Sequence, residues 1–419
     1  MLGKEDFFPD GTRMDGWFFE QPRFPNGSDE KRYCLTDYGI FDDGAVYTEK
    51  IQSLIETIAR SGGGVLVVPK GTFLTGALFF KQNVHLLVEK GGVLKGSDDI
   101  SDYPLCNTRI EGESCLYFPA LINGDGLDGF RIWGEGTIDG NGEKSWRAFW
   151  IRRKWNPECT NKDEQRPRLV YLSNCTNVLV TGVELRNSHF WTTHFYKCRY
   201  VKIVDCRFFS PREPVRAPST DGVDLDVCSD ILIKNCSFHV NDDAVALKGG
   251  KGVSADQRTE NGSNERIIVE DCVYEYCHGC LTCGSESIHN KNVILRRVTV
   301  RQAQNLLWLK MRPDTPQCYE YIRVEDAKGT VQRFLNAGAW TQFFAPEGRA
   351  ELPPSCARHV TMRNCEINCE VCFYVHGAAP QYVLSDFCFE KLKIKTRETG
   401  DIENAVEGLD MREVSVETE

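Results

Sequence analysis

Three octets decide the fold: Val201-Lys202-Ile203-Val204-Asp205-Cys206-Arg207-Phe208, Ile231-Leu232-Ile233-Lys234-Asn235-Cys236-Ser237-Phe238 and Ile267-Ile268-Val269-Glu270-Asp271-Cys272-Val273-Tyr274. Each reads apolar, any, apolar, two residues ending in Asp or Asn, then Cys, any, apolar. Alternation over two short runs describes two strands with one face buried. The Asp or Asn between them marks a bend, because these side chains tolerate left-handed backbone and bond their own chain. A looser version of the pattern begins at Val178, Val293, Ile322, Val360 and Phe387, with Asp326 and Asn364 at the bend in two of them. Successive starts are 23, 30, 36, 26, 29, 38 and 27 residues apart. A minimum in the low twenties with variable excess predicts a coil of parallel strands with inserted loops. The chain lacks the leucine spacing of leucine-rich repeats and the period of helical ones.

The repeat reorders the composition. A length of 419 residues suggests two or three domains, but the repeats predict one elongated all-β solenoid over 35–397, after an N-terminal extension at 1–34 and before an acidic closing segment at 398–419. Lys50 to Arg60 carries Ile51, Leu54, Ile55, Ile58 and Ala59 at helical spacing and stops at Ser61-Gly62-Gly63-Gly64, which predicts a helix capping the open end of the coil. The coil begins with Val65–Val68 and Val84–Val88. Cys206, Cys236, Cys272 and Cys365 share one repeat position, so part of the 19 cysteines is read as a ladder of small buried residues rather than a disulfide framework. Cys277, Cys280 and Cys283 have the spacing of metal ligands, but strand parity sends Cys280 and Cys283 to opposite faces, which argues against a metal site.

A net charge of −10 excludes nucleic acid as a partner, since phosphate needs a basic face. Apolar runs are short, which excludes a membrane span. Met1 to Asp6 has no apolar leader core, which favours a cytoplasmic location, with secretion or a periplasmic location following only from a removed leader. Nothing in the sequence speaks to oligomeric state.

Register places the chemistry. Residues at equal offset from the repeat start lie one above another, about 4.8 Å apart. Asp242 is eleven residues after Ile231 and His278 eleven after Ile267, so they are expected as neighbours. The cadence of Asp221-Gly222-Val223 aligns Asp221 with Asp243, and Lys248, Gly284 and Lys310 end the same strand position. Three carboxylates, a histidine and two lysines therefore converge, between the insertions at 210–218 and 249–265. Such a cluster suits glycoside hydrolysis, in which one carboxylic acid protonates the leaving oxygen while others orient water. Crowding of like charges raises one carboxyl pKa and keeps a proton available. His189 and His194 lack such partners and are read as core or rim.

These residues resemble glycoside hydrolase family 28, the polygalacturonase family of right-handed parallel β-helices. Ser219-Thr220-Asp221-Gly222, Asn241-Asp242-Asp243 and Cys277-His278-Gly279 are similar to its Asn-Thr-Asp-Gly, Gly/Gln-Asp-Asp and Gly-His-Gly motifs. Gly62-Gly63-Gly64, Leu94-Lys95-Gly96-Ser97 and Gly134-Glu135-Gly136-Thr137-Ile138-Asp139-Gly140 add to the likeness. The resemblance implies that Asp242 is the general acid, that Asp221 and Asp243 activate water, that His278 tunes the acid, and that the anomeric configuration inverts. It implies no cofactor and no metal.

One motif departs. The family's Arg-Ile-Lys, which holds a uronate carboxylate, is Trp308-Leu309-Lys310 here, so the arginine clamp is missing. Trp308, Lys310 and Arg312 share a strand face, so Arg312 is expected to replace the guanidinium while Trp308 stacks on a sugar. Lys248, Asp224 and Arg216 complete the expected substrate-binding set, and Arg212 and Lys251 add positive charge for a pectic oligosaccharide or polysaccharide. The expected reaction is inverting hydrolysis of α-1,4-galacturonosyl bonds from chain ends. The alternatives are a rhamnogalacturonan-type hydrolase of the same fold, a β-eliminase binding Ca²⁺ through Asp221, Asp224 and Asp226, and a solenoid that binds glycans without cleaving them.

Overall fold

The structure, a computed structural model, describes residues 6–22, 30–342, 351–376 and 381–418. Its strands stack in three parallel columns, the faces of a parallel β-helix. The first column runs through Gly64–Val68, Val84–Val88, Arg131–Gly134, Thr176–Thr181, Arg199–Val204, Ser229–Lys234 and Ser263–Glu270. The third runs through Leu78–Phe79, Ile122–Asp125, Val170–Ser173, Thr193–Tyr196, Val223–Asp226 and Val245–Lys248. From Val273 onward the strands continue through the bends, as in His289–Met311 and Gln317–Ala339.

The expected repeat starts pair directly, Val178 with Val201, then Ile231, Ile267, Val293, Ile322, Val360 and Phe387. All of them are buried in one continuous core. Each such aliphatic side chain contributes roughly 1.5–3 kcal/mol when fully removed from water. The bend residues Asp205, Asn235, Asp271, Asp326 and Asn364 have φ of 52–57°. A second left-handed residue, unread in the sequence, precedes every start: Asn177, Tyr200, Asp230, Arg266, Asn292, Tyr321, His359 and Asp386, at 55–58°. Left-handed backbone costs a Tyr or Arg roughly 1–2 kcal/mol, so stacking rather than local preference sets this conformation.

The capping helix is Thr48–Arg60, with Ile51, Leu54, Ile55 and Ile58 buried and Ala59 half-buried against the core. It meets strands of all three columns at the start of the coil. Cys206, Cys236, Cys272 and Cys365 stack as expected, and each thiol donates to the carbonyl two residues earlier at 3.2–3.4 Å. A second ladder, Cys175, Cys198 and Cys228, occupies the turn before the first column and was missed.

Three expectations are corrected. Cys280 and Cys283 are both in the core, because Cys280 still lies in the turn, where it and the adjacent Leu281 both face inward, so strand alternation starts only after it. The segment at 398–419 is no mere closing tail: Asp410–Thr418 pairs with the preceding rung, and Leu409, Met411, Val414 and Val416 repeat the same pattern with Glu413 at the left-handed bend. Within 1–34, the described residues are joined to the coil and not a free extension. Arg32–Cys34 pairs with Val65–Val67, and Phe8, Met14 and Phe18 cover Leu232, Ile268 and Ile294 on the outer face of the first column.

Candidate active site

The site lies where the chain turns into the third column. The Asp221 carbonyl accepts from Thr192 N at 2.8 Å and Gly222 N donates to the Asp243 carbonyl at 2.9 Å. On the next rung His278 N donates to the Asp242 carbonyl at 2.9 Å, and Ala244 N to the Gly279 carbonyl at 2.8 Å. Asp221 over Asp243 and Asp242 beside His278 is the expected register. Lys248, Gly284 and Lys310 also align, through Leu247–Cys283–Leu309. Adjacent Asp242 and Asp243 both reach the site because they sit in the turn and not in the strand. Gly279 is required there: a Cβ would lie 2.0 Å from Thr282 Oγ1 and 2.8 Å from Asp243 Oδ1.

One oxygen each of Asp221, Asp242 and Asp243 lies within 4.8 Å of the other two. Asp242 is 28% exposed at the mouth, whereas Asp221 and Asp243 are buried beneath it. His278 Nδ1 is 3.4 Å from Asp242 Oδ1, and the exposed Arg216 meets His278 Nε2 at 2.8 Å. Lys310 Nζ pairs with Asp243 Oδ2 at 2.7 Å and sits over the rings of Trp308 and Trp340 at 4.1 and 4.7 Å. Lys248 Nζ lies 3.9 Å from Asp221, 3.5 Å from Asp224 and 3.3 Å from Glu286, and 4.6 Å from the Trp191 ring centroid.

Crowding raises carboxyl pKa values here, but not at Asp242. Burial, then the charges of Asp224 and Asp242, push Asp221 well up, and burial carries Asp224 to about 8 against the pull of Lys248. Burial also opposes ionisation of Asp242, but His278, Lys310 and Lys248 together outweigh it and hold the carboxyl below its ordinary value. Among the three, Asp221 is therefore the carboxyl that burial and crowding favour to hold a proton, and Asp242 the one held ionised. Burial disfavours the ammonium of Lys248, but Glu286, Asp224 and Asp221 overcome it, and in return Glu286 is held down at about 2.

Asp221, Asp242, Asp243, His278, Trp308, Lys310 and Lys248 all line one cavity of about 210 Å³. Arg216 stands at its rim through His278. Two expected binding residues do not belong. Arg312 is 1% exposed and forks onto Asp314 at 2.7 and 2.5 Å, with Nη1 donating to the Gln342 carbonyl, so it braces a turn and cannot replace the missing guanidinium. Asp224 is fully buried and faces Lys248, behind the cavity wall. Lys248 itself is tied to three carboxylates. The Ca²⁺ set also fails to assemble, because Asp226 pairs with Arg109 at 2.7 Å and with His194 at 3.4 Å. His189 and His194 are buried, and burial drops both to about 4.

Sequence reasoning missed Glu111, Asn161, Trp191, Glu286 and Trp340, which also line the cavity. Glu111 follows the antiparallel hairpin strand Cys106–Ile110, whose partner is Glu113–Tyr117, and accepts from Asn161 Nδ2 at 3.0 Å. The hairpin is anchored by Arg109, which bonds Asp226 and Asn261, and its tip Gly112 packs so closely on Gly250 that a Cβ would lie 2.9 Å from the Gly250 carbonyl carbon. The helix Glu143–Trp155 supports the other side, with Trp150 Nε1 donating to the Arg216 carbonyl at 2.7 Å. The 249–265 loop thus buttresses the hairpin and contributes no residue to the lining. Insertions carry no period, so only the Asp242-type register signal was available to find the site.

The family model described as Glycosyl hydrolases family 28 matches residues 66–315, a stretch that contains Asp221, Asp242, Asp243, His278 and Lys310 but ends before Trp340. A probable polygalacturonase of Vitis vinifera is 30% identical over 226 residues, covering 52% of this chain and 44% of that protein. An exopolygalacturonase of Zea mays is 28% identical over 236 residues, 54% of this chain and 50% of that protein. The matches thus span about half the length of these curated relatives. Among solved structures, the exopolygalacturonase from Thermotoga maritima superposes with a TM-score of 0.72 at 22% identity, over 94% of this chain and 93% of that one. The polygalacturonase from Erwinia carotovora gives 0.68 at 19% identity, over 95% and 99%. At such identities the likeness is one of fold, the parallel β-helix.

Proposed function

The chain belongs to glycosyl hydrolase family 28, and from that premise we propose that it hydrolyses α-1,4-galacturonosyl bonds at the ends of pectic chains. The observation that carries this reading is the convergence of Asp221, Asp242 and Asp243 with His278 and Lys310 in one cavity beside two tryptophans. Asp242, the carboxyl at the mouth, is the one placed to reach a glycosidic oxygen and serves as general acid. Asp221 and Asp243 hold the attacking water. A sugar over Asp242 removes its remaining water, and a uronate engaging Lys310 weakens the hold of that ammonium on it. Both effects raise the Asp242 pKa and move the cluster's proton outward from Asp221. His278, bonded on both nitrogens, keeps Asp242 oriented.

Action from the chain end is supported by the size of the cavity, about 210 Å³, and by the hairpin and helix insertions around it. That volume falls below the ~300–1,000 Å³ of typical ligand pockets and suits one sugar ring better than a passing polymer. Inversion is proposed for the product. The carboxylate oxygens are closer than the ~6.5–9.5 Å usual between the acid and base of inverting enzymes, so the water has to sit among the carboxylates. Digestion of defined oligogalacturonides, with NMR of the fresh anomer, tests all three points. Release of monomer with inverted configuration by the native protein, and its loss in Asp242→Asn, is expected. Internal cleavage or retained configuration removes the corresponding part.

Trp308 in the arginine position, with Arg312 committed to Asp314, favours a second reading in which a neutral sugar such as rhamnose borders the cleaved bond. Faster release from rhamnogalacturonan oligosaccharides than from oligogalacturonides would establish it.

A further inference from the structure

The ladder cysteines point inward, and burial raises the thiols of Cys236, Cys272 and Cys365, the last to about 12. Cys318 and Cys356 differ. They occupy the same position on successive rungs, paired directly between Gln317–Ala339 and Ser355–His376, and both side chains are partly exposed on the outer face. Their sulfurs are 2.8 Å apart. Two thiolates on one tetrahedral zinc, with Zn–S bonds of ~2.3 Å, would stand roughly 3.8 Å apart, so the spacing suits a bond between the sulfurs better than a shared metal. Directly paired strand residues also bring their Cα atoms within the ~4.4–6.8 Å that a disulfide spans.

The surroundings favour reaction. His289 precedes Cys318 in the same column, Arg358 follows Cys356 by two residues, and Arg358 bonds Glu320 at 2.8 Å. The bond to Cys318 holds the Cys356 thiol below its ordinary value, with Arg358 adding to it against burial and Glu320, while the Cys318 thiol is pushed up, so Cys356 is the one promoted to the reactive thiolate. The two cysteines lie 38 residues apart in sequence, and the chain between them carries Trp340 and Gln342 of the cavity wall.

We propose that Cys318 and Cys356 form a redox-active pair whose oxidation staples two rungs at the base of the segment that walls the active cavity. The oxidant is a small disulfide such as oxidised glutathione. One thiolate attacks it and releases one glutathione thiolate. The second cysteine thiolate then attacks the mixed disulfide and releases the other. The protein loses two protons and two electrons, and the glutathione disulfide is reduced to two thiols. Closing a loop of this length restricts the unfolded chain more than the folded one, so the oxidised form is the more heat-resistant.

The test uses the full reduced chain incubated with oxidised glutathione, then alkylated and digested without reductant. A cross-linked peptide containing Cys318 and Cys356, an intact mass lower by two hydrogens, and an unfolding midpoint raised on the order of 5 °C are expected. Dithiothreitol should reverse all three, and Cys318→Ser and Cys356→Ser should each abolish them. The peptide map of the unmutated protein is decisive even if a variant folds poorly. Stable glutathione adducts on either cysteine without a cross-link overturn the proposal. So does a metal retained by the pair in native mass spectrometry, with His289 and Glu320 as the further ligands.

Discussion

The first and third columns are built by the same backbone and carry opposite chemistry. In the first, stacking at one spacing sets Val201 on Ile231 on Ile267, and past the bend the aromatic row Phe208, Phe238 and Tyr274, on Arg207–Phe209, Ser237–His239 and Val273–Cys283, stacks likewise, with centroids 4.8 and 5.4 Å apart. Like sits on like, and each contact is favourable. In the turn before the third column the same spacing sets Asp221 on Asp243 and brings Asp242 alongside. Like again sits on like, but now each contact is repulsive. The repulsion is offset by Lys310, Lys248 and His278, and it helps burial to raise the Asp221 carboxyl pKa. A stacked coil thus brings carboxylates together readily in geometry and against repulsion in charge.

That contrast can be broken from either side. Asp242→Asn should lower kcat by about 10²–10⁴-fold while far-ultraviolet circular dichroism and the unfolding midpoint hold or rise, because a charge leaves a repulsive cluster. Phe238→Ala should do the reverse, costing about 3–5 kcal/mol in denaturant unfolding with KM unchanged. Gly279→Ala sits between the two, since its new methyl group meets Thr282 and Asp243. A drop of about 10²-fold in kcat is expected, partly restored in the double variant with Thr282→Ala, and an additive double variant would show that the contact is not the cause. Cys272→Ala in the thiol ladder should cost only about 1 kcal/mol and leave kinetics alone.

The charge side of the contrast can also be read as a slope. Asp224 has a folded pKa of about 8 against an ordinary 3.8, so between roughly pH 4 and pH 8 the native state keeps a proton that the unfolded chain has lost. Stability from this group is therefore complete below the unfolded value and declines as pH rises through that window. Asp224→Asn should flatten that decline in unfolding curves taken across the range. An unchanged slope would assign the proton to Asp221 alone.

The sequence repeat was legible because backbone hydrogen bonds fix the stacking distance, so counting residues from Ile231 and Ile267 was enough to bring Asp242 to His278. It was misread where counting stopped early: Leu409, Met411, Val414 and Val416 keep the pattern, but the acidic residues among them disguised the last rung. Arg312 shows the other limit. Strand parity put it on the face of Lys310, yet Asp314, two residues on, captures it, and a two-residue turn has no register to count.

Sequence by itself determined the coil, its capping helix, the column alignment and the meeting of three carboxylates with a histidine and a lysine. All of these follow from periodicity acting through ladder hydrogen bonds. Only the tertiary structure decided which carboxyl faces solvent, that Lys248 of the lining is tied to Asp224 behind the wall, and that Glu111, Glu286 and Trp340 line the cavity. These depend on insertions of irregular length whose side chains find partners across the fold, where distance along the chain no longer measures distance in space.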